Sequence, residues 1–84
     1  MRVIIQLEIL QAFSRYPEGT TKYRVARETS QNYHTVCRRV ADYDKFGLLE
    51  FTGISNTVHG TILKQIYKLT ENGRLLLQIF KNIH

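Results

Sequence analysis

The chain has few of the residues that build crosslinks, metal centres or catalytic sites. Its single cysteine, Cys37, excludes an intramolecular disulfide and a zinc site of the Cys₄ or Cys₂His₂ type within one chain. The three histidines show no catalytic spacing with a nucleophile, and neither paired carboxylates nor a glycine-rich phosphate loop occurs. We therefore expect neither enzymatic activity nor a cofactor.

Long hydrophobic runs are also absent. The longest uncharged apolar run is far shorter than the roughly 20 residues of a membrane-spanning helix. Gln6 and Glu8 interrupt the apolar N-terminal region, and no small-residue cleavage site follows them, so no signal peptide is predicted. We expect a soluble, intracellular protein with no membrane partner.

Acidic residues are scarce relative to basic ones. Seven Asp and Glu oppose twelve Lys and Arg, which gives a formal charge of +5 over 84 residues. Between Lys22 and Arg39 the cations are opposed only by Glu28. Such a field favours a polyanionic partner whose affinity falls as salt rises, although a charge run by itself is equally typical of a solvated surface.

Residues 32–46 predict a helix around which the chain is organised. Asn32 can cap its start and Gly47 can end it in a left-handed conformation. Val36, Val40 and Tyr43 recur at helical spacing and form an apolar stripe. The rest of the cylinder carries polar residues, namely His34, Thr35, Arg38, Arg39 and Asp42. Packing needs only the stripe, so the arginine-bearing face is free for an anionic partner.

A shorter helix over residues 21–29 is predicted immediately before it. Thr21 is its expected cap, and its apolar positions are Tyr23, Val25 and Ala26. Ser30 and Gln31 then form a tight link, without the glycine that such turns usually contain. A short helix, a turn and a second helix form a helix-turn-helix, which places its second helix for the DNA major groove.

The remaining chain predicts two further helices and a β-hairpin. The first helix covers residues 3–16, and Pro17 and Gly19 stop it before a connector that can pair briefly as a strand. Strands are predicted over 49–54, with a break at Gly53, and over 61–69, joined by a polar loop at 55–60. Thr70 then caps a last helix, which Gly73 should weaken slightly.

The first and last helices carry more apolar surface than one small core can cover. Exposed patches of this kind usually mark an interface, so we expect a symmetric homodimer through these two helices. The expected contributors are Ile5, Leu7, Leu76, Phe80 and Ile83. The alternative is that the excess closes the core of a single chain.

Three segments in order resemble the winged-helix DNA-binding family, specifically the small bacterial and archaeal regulators of the MarR and PadR type. They are ILQAF at residues 9–13, TVCRRV at 35–40 continuing to FGLL at 46–49, and YKLTENGR at 67–74. The last is similar to the family's Y-x-L-T-x-x-G-R junction between wing strand and last helix. The resemblance implies one α+β domain over residues 1–84, a winged helix-turn-helix with a three-helix core, a two-stranded wing and a C-terminal helix.

The resemblance also implies which residues contact DNA. The recognition helix would contribute Tyr33, Thr35, Arg38 and Arg39, and the wing tip would contribute His59. With neighbouring cations and His34, the predicted DNA-binding set is Arg24, Arg27, Tyr33, His34, Thr35, Arg38, Arg39, His59 and Lys64. The tip departs from the family, whose wings commonly carry arginine or lysine there, and the chain lacks the extra terminal helices of many MarR members.

The implied function is sequence-specific binding of double-stranded DNA by a dimeric transcriptional regulator, a repressor acting by occupancy. The setting would be the cytoplasm of a prokaryote, archaeal cells included, with nucleoid association, or a host cell if the protein is viral. One alternative is a winged-helix protein–protein interaction module. Another is a redox- or metal-responsive regulator using Cys37, with His34 three residues away, although a buried, inert Cys37 is favoured and a disulfide between subunits is a further option.

Overall fold

The computed structural model describes residues 5–56 and 63–83, which form four helices and three strands. In chain order these are α1 (Leu7–Ser14), β1 (Thr20–Thr21), α2 (Lys22–Thr29), α3 (Tyr33–Lys45), β2 (Leu49–Asn56), β3 (Leu63–Leu69) and α4 (Glu71–Ile83). The strands form one antiparallel sheet in the order β1-β3-β2. The predicted α+β winged-helix architecture is confirmed.

The core lies where the first three helices meet the base of the sheet. Fully buried side chains come from every element around it: Ile9, Leu10, Ala12, Phe13, Val25, Ala26, Val36, Val40, Tyr43, Leu49 and Leu69. The predicted stripe of α3 is therefore confirmed as its packing face. Since burial of such side chains is the main favourable term in folding, this stripe also fixes the rotation of α3 about its axis.

The predicted helix caps form. Asn32 Oδ1 accepts a hydrogen bond from the His34 amide at 2.8 Å, and Thr21 Oγ1 accepts from the Arg24 amide at 3.1 Å. Thr70 Oγ1 accepts from the Gly73 amide at 3.1 Å and donates to the Gly47 carbonyl oxygen. Each cap satisfies an amide that a helix start otherwise leaves unpaired.

The turn between α2 and α3 is made without glycine. Ser30 takes the left-handed conformation itself, with φ 56° and ψ 31°. The Gln31 amide donates to the Ala26 carbonyl at 3.1 Å and so closes the end of α2. After α3, Gly47 takes φ 75°, which confirms the predicted helix end.

The first helix is shorter than the predicted 3–16 at both described ends. Ile5 and Gln6 are not helical, because Gln6 donates its amide to the Tyr43 hydroxyl at 2.8 Å and its side chain accepts from Arg39. At the other end α1 stops at Ser14, since the residue before a proline, here Tyr16, is disfavoured in helical conformation. Residues 1–4 lie outside the described part of the chain.

The wing hairpin is longer than its sequence pattern predicts. Residues 55–56 belong to β2 and pair with residues 63–64 of β3, so the predicted loop begins too early. The register shift lies between Phe51 and Gly53, as the predicted break at Gly53 requires, and the Thr52 hydroxyl donates to the Ile66 carbonyl at 3.1 Å. Residues 57–62, which include the rest of the loop, lie outside the described residues.

Gly73 is a packing position in the first turn of α4. The residue is buried, and a Cβ there would meet the Leu48 carbonyl oxygen and lie 2.8 Å from Leu69 Cδ2. The helix start therefore lies directly on the turn that follows α3. The absence of a side chain permits this close approach.

Candidate nucleic-acid interface

The outward face of α3 is set by the burial of its opposite stripe. With Val36 and Val40 in the core, Tyr33, His34 and Arg38 are exposed. The rings of Tyr33 and His34 meet edge to face, with centroids 6.3 Å apart. Thr35 is partly buried. The first half of α3 therefore presents an aromatic, an imidazole and a guanidinium on one accessible surface.

The twin arginines of α3 have different surroundings. Arg38 is exposed and makes no hydrogen bond or ion pair with the residues that the structure describes. Arg39 is half-buried, and its Nε donates to Gln6 Oε1 at 2.9 Å. Arg38 is thus available to an external partner, whereas Arg39 holds the segment before α1.

The two arginines of α2 lie over tyrosine rings. The Arg24 guanidinium is 5.2 Å from the Tyr16 ring centroid, and that of Arg27 is 5.8 Å from the Tyr23 ring. The acid of this helix, Glu28, accepts from the Tyr16 hydroxyl and from Arg15 at 3.0 Å. The hydrogen bond from Tyr16 is the main cause that lowers the pKa of Glu28, and the same bond raises the pKa of Tyr16.

A groove of about 780 Å³ separates α2 from the wing and continues to the start of α3. We call it the α2–β3 groove; its lining residues are Thr21, Lys22, Tyr23, Tyr33, Ile54, Lys64 and Gln65. Lys22 Nζ donates to Gln65 Oε1 at 3.2 Å and lies 5.7 Å from the Tyr67 ring, and Lys64 Nζ lies 5.2 Å from the Tyr23 ring. None of the lining residues is acidic.

The sequence-based set of DNA contacts is distributed over these surfaces. Seven of its members lie on α2 or along the first half of α3, and Lys64 joins them from β3 across the groove. His59 lies outside the described residues. The contact role of every member stays a prediction, and Arg39 already uses its Nε to hold Gln6.

Sequence reasoning did not select Lys22, Tyr23 or Gln65 as site residues. Tyr23 was expected among the apolar positions of α2, but it is 52% exposed, with its ring contacted by cations. Pairing of Thr21 with Ile66 places Lys22 beside Gln65, and this register was the missing information. The available signal was a lysine directly after the helix cap.

Cys37 is half-buried rather than fully buried as the favoured interpretation had it. A hydrogen bond with its side chain is the main cause that raises the pKa of the Tyr33 hydroxyl. No group of three or more His, Cys, Asp or Glu side chains that could hold a metal occurs in the described part of the chain. Cys37 therefore belongs to the same surface as Tyr33.

A second candidate surface lies on α4, where Leu75 and Ile79 are 50% and 56% exposed. The groove between α1 and α4 is lined mostly by polar side chains, with Leu7, Leu77 and Phe80 as its apolar members. Ile5 and Leu76 pack partly against their own core, so they are less available for an interface than expected. The side chain of Ile83 is not described.

None of the helices within residues 5–56 and 63–83 combines the length and the apolar character that crossing a bilayer requires.

Comparisons with known proteins support the fold. No protein-family model and no curated protein sequence matches the chain. Its structure is similar to that of a MepR variant from a multidrug-resistant S. aureus clinical isolate, with a TM-score of 0.76 at 17% identity over 92% of this chain and 53% of that one. A MarR family transcriptional regulator from Silicibacter pomeroyi gives 0.68 at 22% identity over 92% and 48%. A possible transcriptional regulator from Methanosarcina mazei gives 0.65 at 18% identity over 94% and 68%.

The resemblance to winged-helix regulators is thus confirmed at the level of the fold. The chain spans about half the length of the first two of these structures.

Proposed function

We propose that this protein binds double-stranded DNA as a transcriptional regulator, with α3 in the major groove. The observation that carries the proposal is the outward face of α3, where Arg38 is exposed and unpaired among the described residues while the opposite stripe is buried. A guanidinium in this position can grip a guanine edge in bidentate fashion or clamp a phosphate. The solved structures with this fold include proteins described as transcriptional regulators.

The surrounding charges support a polyanionic partner. Arg27 on α2 and the lysines of the α2–β3 groove lie on aromatic rings or on an amide oxygen, whereas Arg24 lies on the Tyr16 ring close to Glu28. Contacts from these cations to phosphates would fix the register of α3 on the duplex. Occupancy of the site would then block or recruit polymerase, and we expect a repressor.

We further propose that the active species is a symmetric dimer formed through α1 and α4. Leu75 and Ile79 are exposed on α4, and two copies could bury them against each other. In such a dimer the two α3 helices would lie about 34 Å apart, which matches half-sites on successive major grooves.

Binding to duplex DNA at several salt concentrations tests the proposal. Affinity for a random-sequence duplex should fall steeply with salt, and selection from a random pool should enrich a palindromic sequence. Lys68→Gln on β3 is the matched control, since Lys68 is held in an ion pair with Glu50 at 3.3 Å and its loss should leave affinity almost unchanged. Absence of binding at low salt would contradict the proposal.

A second candidate function is a protein–protein interaction module. The observation that favours it is the exposure of Phe51 and Ile54 on β2, since large apolar side chains on a sheet often mark a docking surface. Under this alternative, Ile54→Ser would abolish partner capture, and the chain would show no salt-dependent affinity for DNA.

A further inference from the structure

We propose that the α2–β3 groove seats the phosphodiester backbone of the bound duplex, and that Tyr23 positions Lys64 for this contact. The wing would then engage DNA through its stem and not through its tip. This inference rests on the proposed DNA-binding function and adds the residues by which the wing takes part in it.

The groove is continuous with the face of α3 that would enter the major groove. Tyr33 is the first residue of α3 and also lines the groove, so a strand of the duplex leaving the α3 face passes directly over Lys22 and Lys64. Tyr33 and Ile54 are exposed and offer apolar surface to deoxyribose, while the two ammonium groups meet the phosphates. The groove volume of about 780 Å³ is open to solvent along its length, as a continuous polymer requires.

The charges in the groove are arranged for an external anion. Lys68, on the same strand as Lys64, is paired with the Glu50 carboxylate at 3.3 Å, so its charge is offset within the chain. Lys64 instead lies on an aromatic ring and Lys22 on an amide oxygen and a ring. A cation over an exposed ring is weakly stabilised and keeps its full charge, so it remains free to attract a phosphate.

Tyr23 is the residue that brings the wing cation to the helix-turn-helix. Its half-exposed ring contacts Arg27 from its own helix and Lys64 from β3. Residues 57–62 contain no lysine or arginine, so Lys64 is the first cation on the return strand of the wing. A long side chain loses rotamer entropy when a ligand fixes it, and contact with the ring reduces this loss before DNA binds.

The test measures how strongly salt weakens binding to a random duplex for a set of matched variants. Lys64→Gln should reduce the slope of log K against log[salt] by about one, as expected for one lost phosphate contact. Lys68→Gln removes a charge from the same strand and should leave the slope unchanged, because Glu50 already offsets that charge. Thermal unfolding of each variant verifies that the fold is retained.

Tyr23 is tested by a pair of substitutions. Tyr23→Leu should reduce the salt slope of DNA binding toward the value for Lys64→Gln. The double variant should have nearly the same slope as Lys64→Gln alone. Tyr23→Phe keeps the ring, so it should restore wild-type behaviour, which a general loss of stability would not produce.

Three outcomes would overturn the inference. If the wild type binds with a steep slope and Lys64→Gln leaves that slope unchanged, the groove does not hold the backbone, although the proposed function stands. If inorganic phosphate shifts the NMR signals of Tyr23 and Lys64 while the DNA slope is again insensitive to Lys64→Gln, the groove is a small-anion site. If the wild type binds no duplex at low salt, both the inference and the proposed function fail.

Discussion

Two faces of the molecule expose different kinds of side chain. One is built from α3 and the α2–β3 groove, and the other is built from α1 and α4. The first, the cationic face, exposes Arg38 without a partner among the described residues, and Arg27, Lys22 and Lys64 with aromatic or amide partners. The second, the apolar face, carries Leu75 and Ile79, which are half exposed. A cation without a counterion favours association with an anionic partner. An exposed apolar patch favours association with another apolar surface.

The two faces therefore suit two different kinds of association. Polyanion binding requires charge that remains exposed, and self-association requires area that can be removed from water. Because the same buried cluster supports both faces, a substitution on one face should change one property and leave the other intact. The following predictions use this separation.

The largest effect is expected on the apolar face. Replacing Leu75 and Ile79 together with serine should weaken the dimer by about 4 kcal/mol, roughly a thousandfold, because each substitution counts twice in a symmetric interface. Sedimentation velocity over a concentration series measures this shift. Ile54→Ser is the matched control, since it removes an equally exposed isoleucine from the sheet and should not change the oligomeric state. Equal dimerisation of all variants would show that α4 is not the interface.

A smaller effect is expected within α3, where substitutions of Arg38 and Arg39 should change different properties. Arg38→Ala should cost about 1–3 kcal/mol of binding on the selected site and much less on random DNA if Arg38 contacts a base. Arg39→Ala should instead lower the free energy of unfolding by about 1–2 kcal/mol, because Gln6 loses its partner. Titrations on both DNAs, combined with urea unfolding, distinguish the two residues. Equal losses on both DNAs for Arg38→Ala would leave only a phosphate contact.

The turn between α2 and α3 allows a test with a substitution that should stabilise the fold. Ser30→Gly should raise the free energy of unfolding by about 1 kcal/mol, because a glycine takes the left-handed conformation without a Cβ clash. DNA affinity should remain unchanged, since the angle between α2 and α3 is already set by this conformation. Thermal unfolding and a DNA titration check the two halves of the prediction, and lower stability would contradict the left-handed assignment.

The smallest effect concerns the one acid beside the arginines of α2. The pKa of Glu28 is lowered by Tyr16 and Arg15, so its contribution to stability is present above the ordinary carboxyl pKa and is lost as pH falls through the lowered value. The pKa of Tyr16 is raised by Glu28, so its contribution is present below its ordinary pKa near 10 and is lost as pH rises through the raised value.

Tyr16→Phe should therefore be slightly less stable than the wild type between about pH 5 and pH 9. The difference in stability should disappear at lower and at higher pH. Urea unfolding across this range measures it. A difference that persists unchanged below pH 3 would mean that the Tyr16–Glu28 hydrogen bond is not its source.

Local chemistry in the sequence was sufficient for most of the fold. The caps at Thr21, Asn32 and Thr70 follow from side-chain oxygens at the right spacing, and the stripe of α3 follows from periodicity. The predictions that failed depend on contacts between distant residues. Gln6 is drawn out of the first helix by two hydrogen bonds to α3. The close packing of Gly73 against the turn at Leu48 is a contact of the same kind, on which the sequence pattern gives no information.

The candidate site was predictable in part for the same reason. The outward position of Arg38 follows from the buried stripe on its own helix. The role of Gln6 as partner of Arg39, and the meeting of Lys64 with Tyr23, require knowledge of which segments are neighbours in the fold. Propensity and spacing carry no information on such pairs, so Tyr23 was counted among the apolar positions of α2, whereas its ring contacts cations at the surface.

The most direct test of the central claim is a map of backbone amide NMR shifts on adding duplex DNA at low salt. The account predicts that the largest changes fall on residues 32–39, with further changes at 22–24 and 64–65, and that α4 remains unaffected. Changes centred on α4, or none at all, would contradict the assignment of the cationic face to DNA.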